Sequence, residues 1–533
     1  MANIFDRAIE AVAPTAALKR KAARRALAVL DSGYGNYGAN LAKRSMVGWM
    51  FGGGDAKADI EDNLDTLRQR SRDAYMGVPL ATGAIKTLRT NTIANGLRPT
   101  PQIDGTFLRM STEQVGELQA QIMREFELWA GTPMCDADRI DNFYQLQQLA
   151  FLGALMNGDA FALLPMRRDA GATYDLRVRV IEADRVCSPY KSDVLVPTTI
   201  NGERVSRIVQ GVETEADGAV CAYWVCNKHP LAQDAAMPDE WVRVAARGEK
   251  TGRPNILHVM TRERAGQLRG VPLLSPVMEA LKQIGRYTEA ELSAAVITAA
   301  FTVFIKKESA GEPPPIGEVV PEELKLPTTD NTNIELAPGA IIDLNPGESI
   351  EQTQPGRPNA RFEAFYDAIV KQIGTALEIP PEVLHKSFNS NYSAARGALN
   401  EFWRVCDMDR GWFVDKFCQP IYEAWFAEAV ARGRINAPGF FNDPAVAAAY
   451  MKCRWNGPAR TNLNPVQEVE AAERRVAAGF STAEQETAQM TGGSYAANIR
   501  QRMIEAQMKK EVDEVGSTNG GTPEQSQVLE VQE

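Results

Sequence analysis

The sequence of 533 residues is poor in the residue types and motifs that most often carry out chemistry. Its three histidines, His229, His258 and His385, lie far apart and form no HExxH pair. Its seven cysteines are odd in number, scattered and free of any CxxC motif, which predicts buried free thiols in a reducing compartment rather than a disulfide framework. It has neither a GxSxG nucleophile elbow nor a GxxxxGK[ST] phosphate loop. We therefore expect no enzyme, no cofactor and no metal site.

Long apolar runs and an excess of basic charge are also missing. The longest strongly apolar run without a charge spans residues 292–305, whereas a membrane span needs about 20 residues. The N-terminus has no apolar segment of the kind that secretory signals carry, so we expect a soluble protein with no membrane partner. The net charge of −10 argues against a protein that grips nucleic acid through bulk positive charge. It leaves open a protein that handles DNA without gripping it.

Two motifs match functional patterns but lack the context that those functions need. Residues 33–38 satisfy GxGxxG, yet they follow a basic helical stretch where a dinucleotide site requires a buried strand. Asp136, Asp138 and Asp141 resemble a calcium loop, but Ile140 stands at the fifth position and no glycine follows. We therefore interpret the first as part of a flexible basic arm and the second as solvated loop acids.

The periodicity along the chain predicts a mixed α+β protein. Helical patterns at about 60–93, 112–130 and 143–157 are followed by short β-type runs from Ala160 to about Met260, as in an antiparallel sheet. Two further helices, at about 276–300 and 359–378, flank an insert that is rich in proline and acidic residues. This arrangement predicts a two-helix stalk with a small β-containing tip. The apolar stripes of the stalk are either the core of one chain or a subunit interface, because a lone stalk cannot bury them without neighbours.

A polar loop and a long helix are predicted after the stalk. The loop is expected to end at Ser393, which we interpret as the cap of a helix that runs to about Arg432 and is kinked by Pro420. Residues beyond Cys453 are again helical, with a predicted capping box over 481–484. The final stretch from Gly516 is polar and predicted to be disordered.

Several segments, in this order and spacing, resemble the lambda-type bacteriophage portal proteins, and the resemblance covers roughly residues 40–510. The most specific are a Tyr-Ser-x-x-Arg segment ending at Arg396 and a Gly-x-Ser-Thr segment ending at Thr482. The other matching pieces are Leu67-Arg68-x-Arg70-Ser71-Arg72-Asp73 with the Asn95-Gly96 stop, Trp129 to Cys135-Asp136, Gly266-Gln-Leu-Arg269-Gly270, Leu336-Ala-Pro338-Gly339, and Pro346-Gly347-Glu348.

The resemblance implies a portal fold and a ring, usually of twelve subunits, at one capsid vertex. Such a ring is the channel for DNA packaging and ejection, and the docking site for the packaging motor. The divisions implied for this chain are a basic flexible arm (1–39), a wing (40–272), a stem helix (273–300), a clip (301–357), a second stem helix (358–379), a tunnel loop (380–393), the long kinked helix of the wing (394–452), a helical crown (453–515) and a disordered tail (516–533).

The resemblance also implies three sets of functional residues and several partners. The tunnel loop would face DNA with Lys386, Asn389, Asn391 and Tyr392. The clip would dock the terminase large subunit, and later the head-completion and tail connector proteins, through Glu318, Glu322, Glu323 and Asp330. Stem packing would use Leu281, Ile284, Phe362, Phe365, Ile369 and Ile373. The implied partners are further copies of the chain, the major capsid and scaffold proteins and double-stranded DNA, in a virion assembled in the host bacterial cytoplasm.

Two alternatives from other functional classes remain open from the residues alone. One is a phage-encoded enzyme such as a hydrolase or nuclease, which would need a carboxylate or histidine constellation that the sequence does not offer. The other is a monomeric adaptor or scaffold protein that binds partners through its acidic insert. The mass of the native particle distinguishes a ring from either alternative.

Overall fold

Helices make up most of the chain that the computed structural model describes. The described residues are 53–189, 207–232, 239–300, 304–307, 348–351, 362–387, 392–460 and 464–518, with isolated positions nearer the start. Two units divide the chain, Met1–Asp59 and Ile60–Glu533, and each is described by itself. The first contributes a short helix, Ala56–Asp59, whereas the predicted flexible arm and the GxGxxG match lie outside the described residues apart from two single positions in the arm.

The second unit begins with two helices, and short strands and further helices follow them. Its helices are α1 (Leu64–Gly77), α2 (Pro79–Thr92), α3 (Thr112–Ala130), α4 (Phe143–Asn157), α5 (Met278–Ala300), α6 (Phe362–Ala376), α7 (Pro381–His385), α8 (Tyr392–Phe413), α9 (Gln419–Ala431), α10 (Pro444–Met451), α11 (Pro465–Ala477), α12 (Ala483–Thr491) and α13 (Tyr495–Thr518). Capping boxes start α3 at Ser111 with Gln114 and α4 at Asn142 with Gln145, which satisfies backbone donors that a helix leaves unpaired.

The strands form antiparallel sheets, as the alternation between 160 and 260 predicted. They are β1 (Arg98–Pro101), β2 (Asp159–Leu163), β3 (Arg179–Ile181), β4 (Arg207–Val209), β5 (Val212–Thr214), β6 (Val220–Cys226), β7 (Trp241–Ala245), β8 (Ile256–Met260), β9 (Phe304–Lys307), β10 (Glu348–Glu351) and β11 (Cys453–Asn456). One sheet has the order β3–β2–β8 and another β4–β5–β6–β7, while β1 pairs with β11 and β9 with β10. The pairing of β9 with β10 joins the two ends of the acidic insert.

One aromatic core holds the helical part of this unit together. Phe126 of α3 lies against Trp425 of α9 with ring centroids 4.9 Å apart, and Phe143 of α4 stacks on Phe417 at 6.1 Å. Trp425 and Phe417 are both fully buried. The apolar side of the long helix is therefore part of this core, and it ties the C-terminal helices to the N-terminal ones.

The long helix is interrupted where the sequence places Pro420. Helix α8 ends at Phe413, a π-helical turn covers Val414–Cys418, and α9 begins at Gln419 with the proline in its first turn. Because proline has no N–H to donate and its ring crowds the preceding turn, a widened turn accommodates it at this point. At the position predicted for a kink, the regular α-helix is thus interrupted by a π-turn.

Three predicted boundaries near the C-terminal half are shifted in the structure. Helix α8 starts at Tyr392, so Ser393 lies inside the helix and does not cap it. The capping box of α12 uses Thr482 with Gln485, one residue beyond the predicted pair, because Thr482 is the residue with extended backbone. Helix α13 continues to Thr518, so the first residues of the predicted disordered tail are helical. Residues 519–533 lie outside the described part.

Candidate functional site

The helix pair predicted as a stalk is present, and its base is buried in the core of the single chain. Helices α5 and α6 pack against each other. Leu281 and Ile284 of α5 and Ile373 of α6 are each at most 3% exposed and belong to the main hydrophobic cluster. The core interpretation therefore holds for the base of the pair, with no neighbour required.

The far end of the same helix pair has a different environment. Tyr287 of α5 stacks on Phe362 of α6 with ring centroids 5.5 Å apart and meets Phe365 edge-on at 5.1 Å. Phe365 itself is 51% exposed, and Leu292 and Val296, further along α5, are 66% and 61% exposed. The apolar stripe thus continues past the last residues that the described part of this chain covers, and exposed apolar side chains of this kind favour an interaction surface.

The remaining stem residues lie between these two extremes. Ile369 and Phe362 are partly buried, and Ile369 packs against the main cluster. Of the six residues predicted to pack in the stem, three are thus covered by their own chain and Phe365 is the most exposed. The exposed positions Leu292 and Val296 were part of the predicted apolar side of the first stem helix but were not singled out as packing residues.

The segment predicted as a loop over 380–393 contains a helix. Helix α7 occupies Pro381–His385, because Pro380 and Pro381 preset the backbone for a helix start. Lys386 follows as its C-terminal residue with a φ of +56°, and its N–H donates to the carbonyl of Glu382. The prediction of a continuous loop is therefore wrong over its first half.

Lys386 is exposed, while the helix before it is anchored. Val383 and Leu384 are buried in the main cluster. The His385 ring places Nε2 3.6 Å from the Asp367 carboxylate on α6. Lys386 is thus presented to solvent from a fixed base. Asn389 and Asn391 lie outside the described residues, and Tyr392 is the first residue of α8 rather than a loop residue, with a side chain outside the description.

The acidic residues predicted to dock partners, Glu318, Glu322, Glu323 and Asp330, lie outside the described residues. Of the insert that carries them, the structure describes the paired strands β9 and β10.

A buried ionic cluster lies at the point where the chain leaves the sheets for helix α5. We call it the junction cluster and define it as Arg68, Asp159, His258 and Arg269. The Asp159 carboxylate accepts from Arg269 Nε at 2.6 Å and from Arg68 Nη2 at 2.9 Å. It also accepts from His258 Nε2 at 3.2 Å, and from the backbone N–H of Gly270 at 3.2 Å. Since a carboxylate only accepts, this contact assigns the proton to Nε2 of His258.

Arg269 fastens several parts of the fold to this carboxylate. Its Nη1 donates to the carbonyls of Val186, at 2.7 Å, and Gln210. Its Nη2 donates to the carbonyl of Ala183 at 2.8 Å and to Asp159 at 3.2 Å. Gln210 belongs to the turn between β4 and β5, so one guanidinium links the four-stranded sheet, the β2 sheet and the segment that leads to α5.

Charge and burial explain the protonation states within the cluster. Burial alone would raise the pKa of Asp159, but the charges of Arg269 and Arg68 and the hydrogen bond from His258 hold it well below its usual range. Burial lowers the pKa of His258 against the opposing effect of Asp159. Burial, reinforced by Arg269, also lowers the pKa of Arg68 to about 10. At neutral pH the cluster therefore contains one carboxylate, two guanidinium groups and a neutral imidazole.

Two glycines allow the backbones to meet beside this cluster. Gly158 ends helix α4 with a φ of +89°, a conformation that other residues adopt only with strain. A Cβ on Gly270 would lie 1.9 Å from the carbonyl oxygen of Gly158, so no side chain fits there. The N–H of Leu273 then donates to the carbonyl of Leu155 at 3.0 Å. The lead-in to α5 is thereby held directly against the end of α4.

The junction cluster was missed by the sequence reasoning, although its signals were present. Arg68 and Arg269 both stand in segments that carry the family resemblance, but nothing in the sequence indicated that they share a carboxylate. Asp159 begins a β2 strand that is otherwise apolar, Asp159-Ala-Phe-Ala-Leu163, and the entire strand is buried or nearly so. A charged residue in such a strand requires a buried partner, and this is the signal that the sequence offered and the reasoning overlooked.

The two most specific family segments form joints between helices. Arg396 pairs with Glu468 of α11, which links the start of α8 to the C-terminal helices. Thr482 caps α12, and Arg475 closes the same joint through Nη2 at 2.6 Å from Glu486. These segments are therefore structural in this chain.

Other candidate chemistry resolves into ordinary structure. All seven cysteines are free thiols. The Asp136 carboxylate is buried and accepts from the backbone N–H groups of Asp138 and Ile140 at 3.0 Å each, so it organises its loop and is not a solvated acid as predicted. Within the described part of the chain, no group of three or more candidate ligands is arranged to hold a metal ion. No described helix is long and apolar enough to cross a membrane.

Comparison with known proteins agrees with the resemblance. A family model for phage portal proteins of the lambda family matches residues 42–410, more than half of the chain. Portal protein B of Escherichia phage lambda is 21% identical over 478 residues, 85% of each chain. The portal protein of Escherichia phage N15 is 21% identical over 513 residues, 92% of each chain.

Solved structures give a weaker likeness. The neck of a native gene transfer agent particle is 14% identical, covers 80% of this chain and 92% of its own, and superposes with a TM-score of 0.41. That level of superposition adds nothing to the family match, which by itself overrides the enzyme alternative. The match over residues 42–410 shows that this chain belongs to the lambda family of phage portal proteins, ring-forming structural components of the virion that are not enzymes.

Proposed function

We propose that twelve copies of this chain form the ring at one capsid vertex, and that double-stranded DNA passes through its bore during packaging and ejection. We place the bore next to Lys386 because of its position in the structure. It is exposed at the end of a short helix whose other side is buried, and it directly precedes a polar stretch. Among residues 380–393 it is the only lysine or arginine.

The divisions of the chain in this proposal follow the family architecture. Residues 40–272 and 394–452 form the wing, helices α5 and α6 the stem, and the insert between them the clip. Residues 453–515 form the crown. In favour of this mapping, α5 and α6 leave a shared base in the core and flank a segment whose ends pair as β9 and β10. Assembly would take place in the host bacterial cytoplasm with the major capsid and scaffold proteins, because the ring must be enclosed as the shell closes around it.

The charge of the bore would decide whether it holds the DNA or lets it move. Many fixed lysines or arginines would hold phosphates and oppose movement, since each contact releases counterions and adds affinity. The net charge of −10 per chain avoids this, so a duplex slides rather than sticks. One solvated ammonium per chain contributes about 1 kcal/mol or less per phosphate contact. Twelve such groups would slow the back-slippage of DNA without trapping it.

Substitution at Lys386 tests this role. We expect Lys386→Ala to build rings and capsids but to retain less packaged DNA, and Lys386→Glu to retain less still, because a carboxylate repels phosphate. The measurement is nuclease protection of DNA in purified heads, beside a ring-assembly assay. Lys452→Glu is the matched control, since Lys452 is an exposed lysine on another segment. Equal protection for wild type and both Lys386 variants would remove this residue from the mechanism.

The acidic insert is proposed as the docking site for the terminase large subunit and, afterwards, the head-completion and tail connector proteins. Residues 308–335 carry seven acidic side chains against the single Lys325, and exchangeable contacts suit polar, charged surfaces. Replacing Glu322 and Glu323 by lysine should weaken motor binding and leave ring formation intact. Unchanged motor affinity at low salt, where such charges act most strongly, would contradict this placement.

A further inference from the structure

We infer that the junction cluster sets the angle between helix pair and body, and that Asp159 and Arg269 are thereby positioning residues for the number of subunits that close the ring. This inference rests on the proposed ring. Its starting point is geometric: Arg68 comes from α1, Asp159 from β2, His258 from β8 and Arg269 from the lead-in to α5. The four side chains meet where these elements converge, so a shift of one element moves the hydrogen-bonding partners on the other three.

The lead-in to α5 is held by hydrogen bonds from buried side chains. Gln267 is fully buried, and its Oε1 accepts from the backbone N–H groups of Glu263 and Arg264 at 2.9 and 3.1 Å. Its Nε2 donates to the carbonyl of Arg269 at 2.7 Å. The Glu61 carboxylate accepts from the N–H of Leu268 at 2.8 Å. Side chains thus supply the hydrogen bonds that a regular element would otherwise supply to this irregular segment.

The main effect that we expect from the cluster is to fix the arrangement of the segments it joins, and not to raise the stability of the fold. Replacing a buried ion cluster by apolar groups often leaves stability unchanged or raises it, because desolvation offsets the attraction between the charges. A fully satisfied buried network nevertheless admits few arrangements. Asp159 accepts from several donors at once, and Arg269 points its guanidinium at one carboxylate and three carbonyls. Because these hydrogen bonds are directional and use most donors of Arg269, they fix the orientation of the segment that leads into α5.

The orientation of this segment matters for closing a ring, because it decides how the helix pair meets the neighbouring subunit. In a closed ring of identical subunits, each copy is rotated from the next by one full turn divided by the subunit number. Rings of eleven and twelve therefore differ by only about 3° per subunit. The base of the helix pair is buried in the body, while its far end presents Leu292 and Phe365 outward. A shift of a few degrees at the junction consequently changes where the far end meets its neighbour.

The test compares a pair of arginine-to-lysine changes. Arg269→Lys keeps the charge but loses the fork that binds several acceptors. Arg243→Lys is the control, because Arg243 makes a similar fork with Glu213, through Nε at 2.9 Å and Nη2 at 3.0 Å, within the four-stranded sheet. Native mass spectrometry of the assembled full chain then gives the distribution of subunit numbers, which a merely stabilising role would not alter.

We expect wild type and Arg243→Lys to give one dominant ring size with a small share of others, and Arg269→Lys to raise that share severalfold. A folded Arg269→Lys protein with the wild-type ring size would overturn the inference. If that variant does not fold, His258 decides, because it supplies only one donor. His258→Leu should then broaden the distribution and His258→Gln, which restores an N–H donor, should narrow it again, whereas a single size for both would overturn the inference. A wild type that forms no ring would instead contradict the proposed function.

Discussion

The base and the far end of the α5–α6 helix pair share one apolar pattern but occupy different environments. At the base, Ile284 and Ile373 are at most 3% exposed and merge with the core of the body. At the far end, Leu292 and Val296 continue the stripe of α5 and are more than 60% exposed. The periodicity that predicts a buried face is thus the same along the helix, and only the structure shows which part of it the described residues cover. The uncovered part is where a ring-forming protein requires a neighbour.

A charge at the base of the helix pair should have the largest effect. Ile373→Asp places an unpaired carboxylate in the core, at a cost of about 3–5 kcal/mol, which is a large share of the stability of an ordinary domain. We therefore expect the monomer itself to unfold, as measured by circular dichroism in urea. Lys371→Asp on the same helix is the control, since Lys371 is exposed. A cooperatively folded Ile373→Asp protein of wild-type stability would show that this base is not core.

A charge at the far end should separate assembly from folding. Leu292→Asp changes an exposed residue, so the unfolding free energy of the monomer should shift by no more than about 0.5 kcal/mol. Ring formation should be lost, because the charge would be buried against the neighbour. Ala290→Asp is the matched control, as residues two apart lie on opposite sides of a helix. Analytical ultracentrifugation reads out both variants, and normal rings from Leu292→Asp would place the subunit contact elsewhere.

Asp409 of α8 and Glu378, which follows α6, are two neighbouring acidic residues. We expect a smaller effect on stability from Asp409, and one that depends on pH. Burial and the nearby Glu378 raise the pKa of Asp409 on α8 to about 6. Between its ordinary value of 3.8 and about 6, the folded chain keeps a proton that the unfolded chain has lost. The free energy of unfolding therefore falls as the pH rises through this window, and the cost is complete above it.

Asp409→Asn removes that cost, so we expect a gain of about 1–2 kcal/mol at pH 8 and almost none at pH 4. Urea unfolding at the two pH values measures it. Asp407→Asn on the same helix is the control and should lose stability, since Asp407 lies 2.7 Å from Arg410 and 2.5 Å from Arg460. An equal gain from Asp409→Asn at both pH values would contradict the assignment.

Local patterns predicted those parts of the fold that depend on local chemistry. The stripe of α6, the break at Pro420 and the antiparallel strands between 160 and 260 all follow from periodicity and from proline. The start of α8 was missed because Tyr392 joins the helix ahead of the residue that resembled a cap. Helix α7 was missed because residues 380–393 were predicted as a loop, whereas Pro380-Pro381 starts a short helix there.

Long-range contacts were beyond the reach of sequence patterns. Asp159 and Arg269 are separated by 110 positions, and no local rule relates them. The exposure of Leu292 is also non-local, because it depends on which other segments reach the far end of α5. The segments that resemble the portal family nevertheless include both arginines of the junction cluster. The resemblance therefore marked these residues, although the sequence alone did not predict that they bind one carboxylate.

The mass of the purified full chain under native conditions tests the central claim most directly, namely that neighbouring copies cover the far end of the helix pair. We expect a ring of about 700 kDa, twelve times the 58.4 kDa of one chain. Native mass spectrometry at micromolar concentration resolves this from smaller species. A stable monomer of 58.4 kDa, with Leu292 and Phe365 still exposed to solvent, would contradict the account.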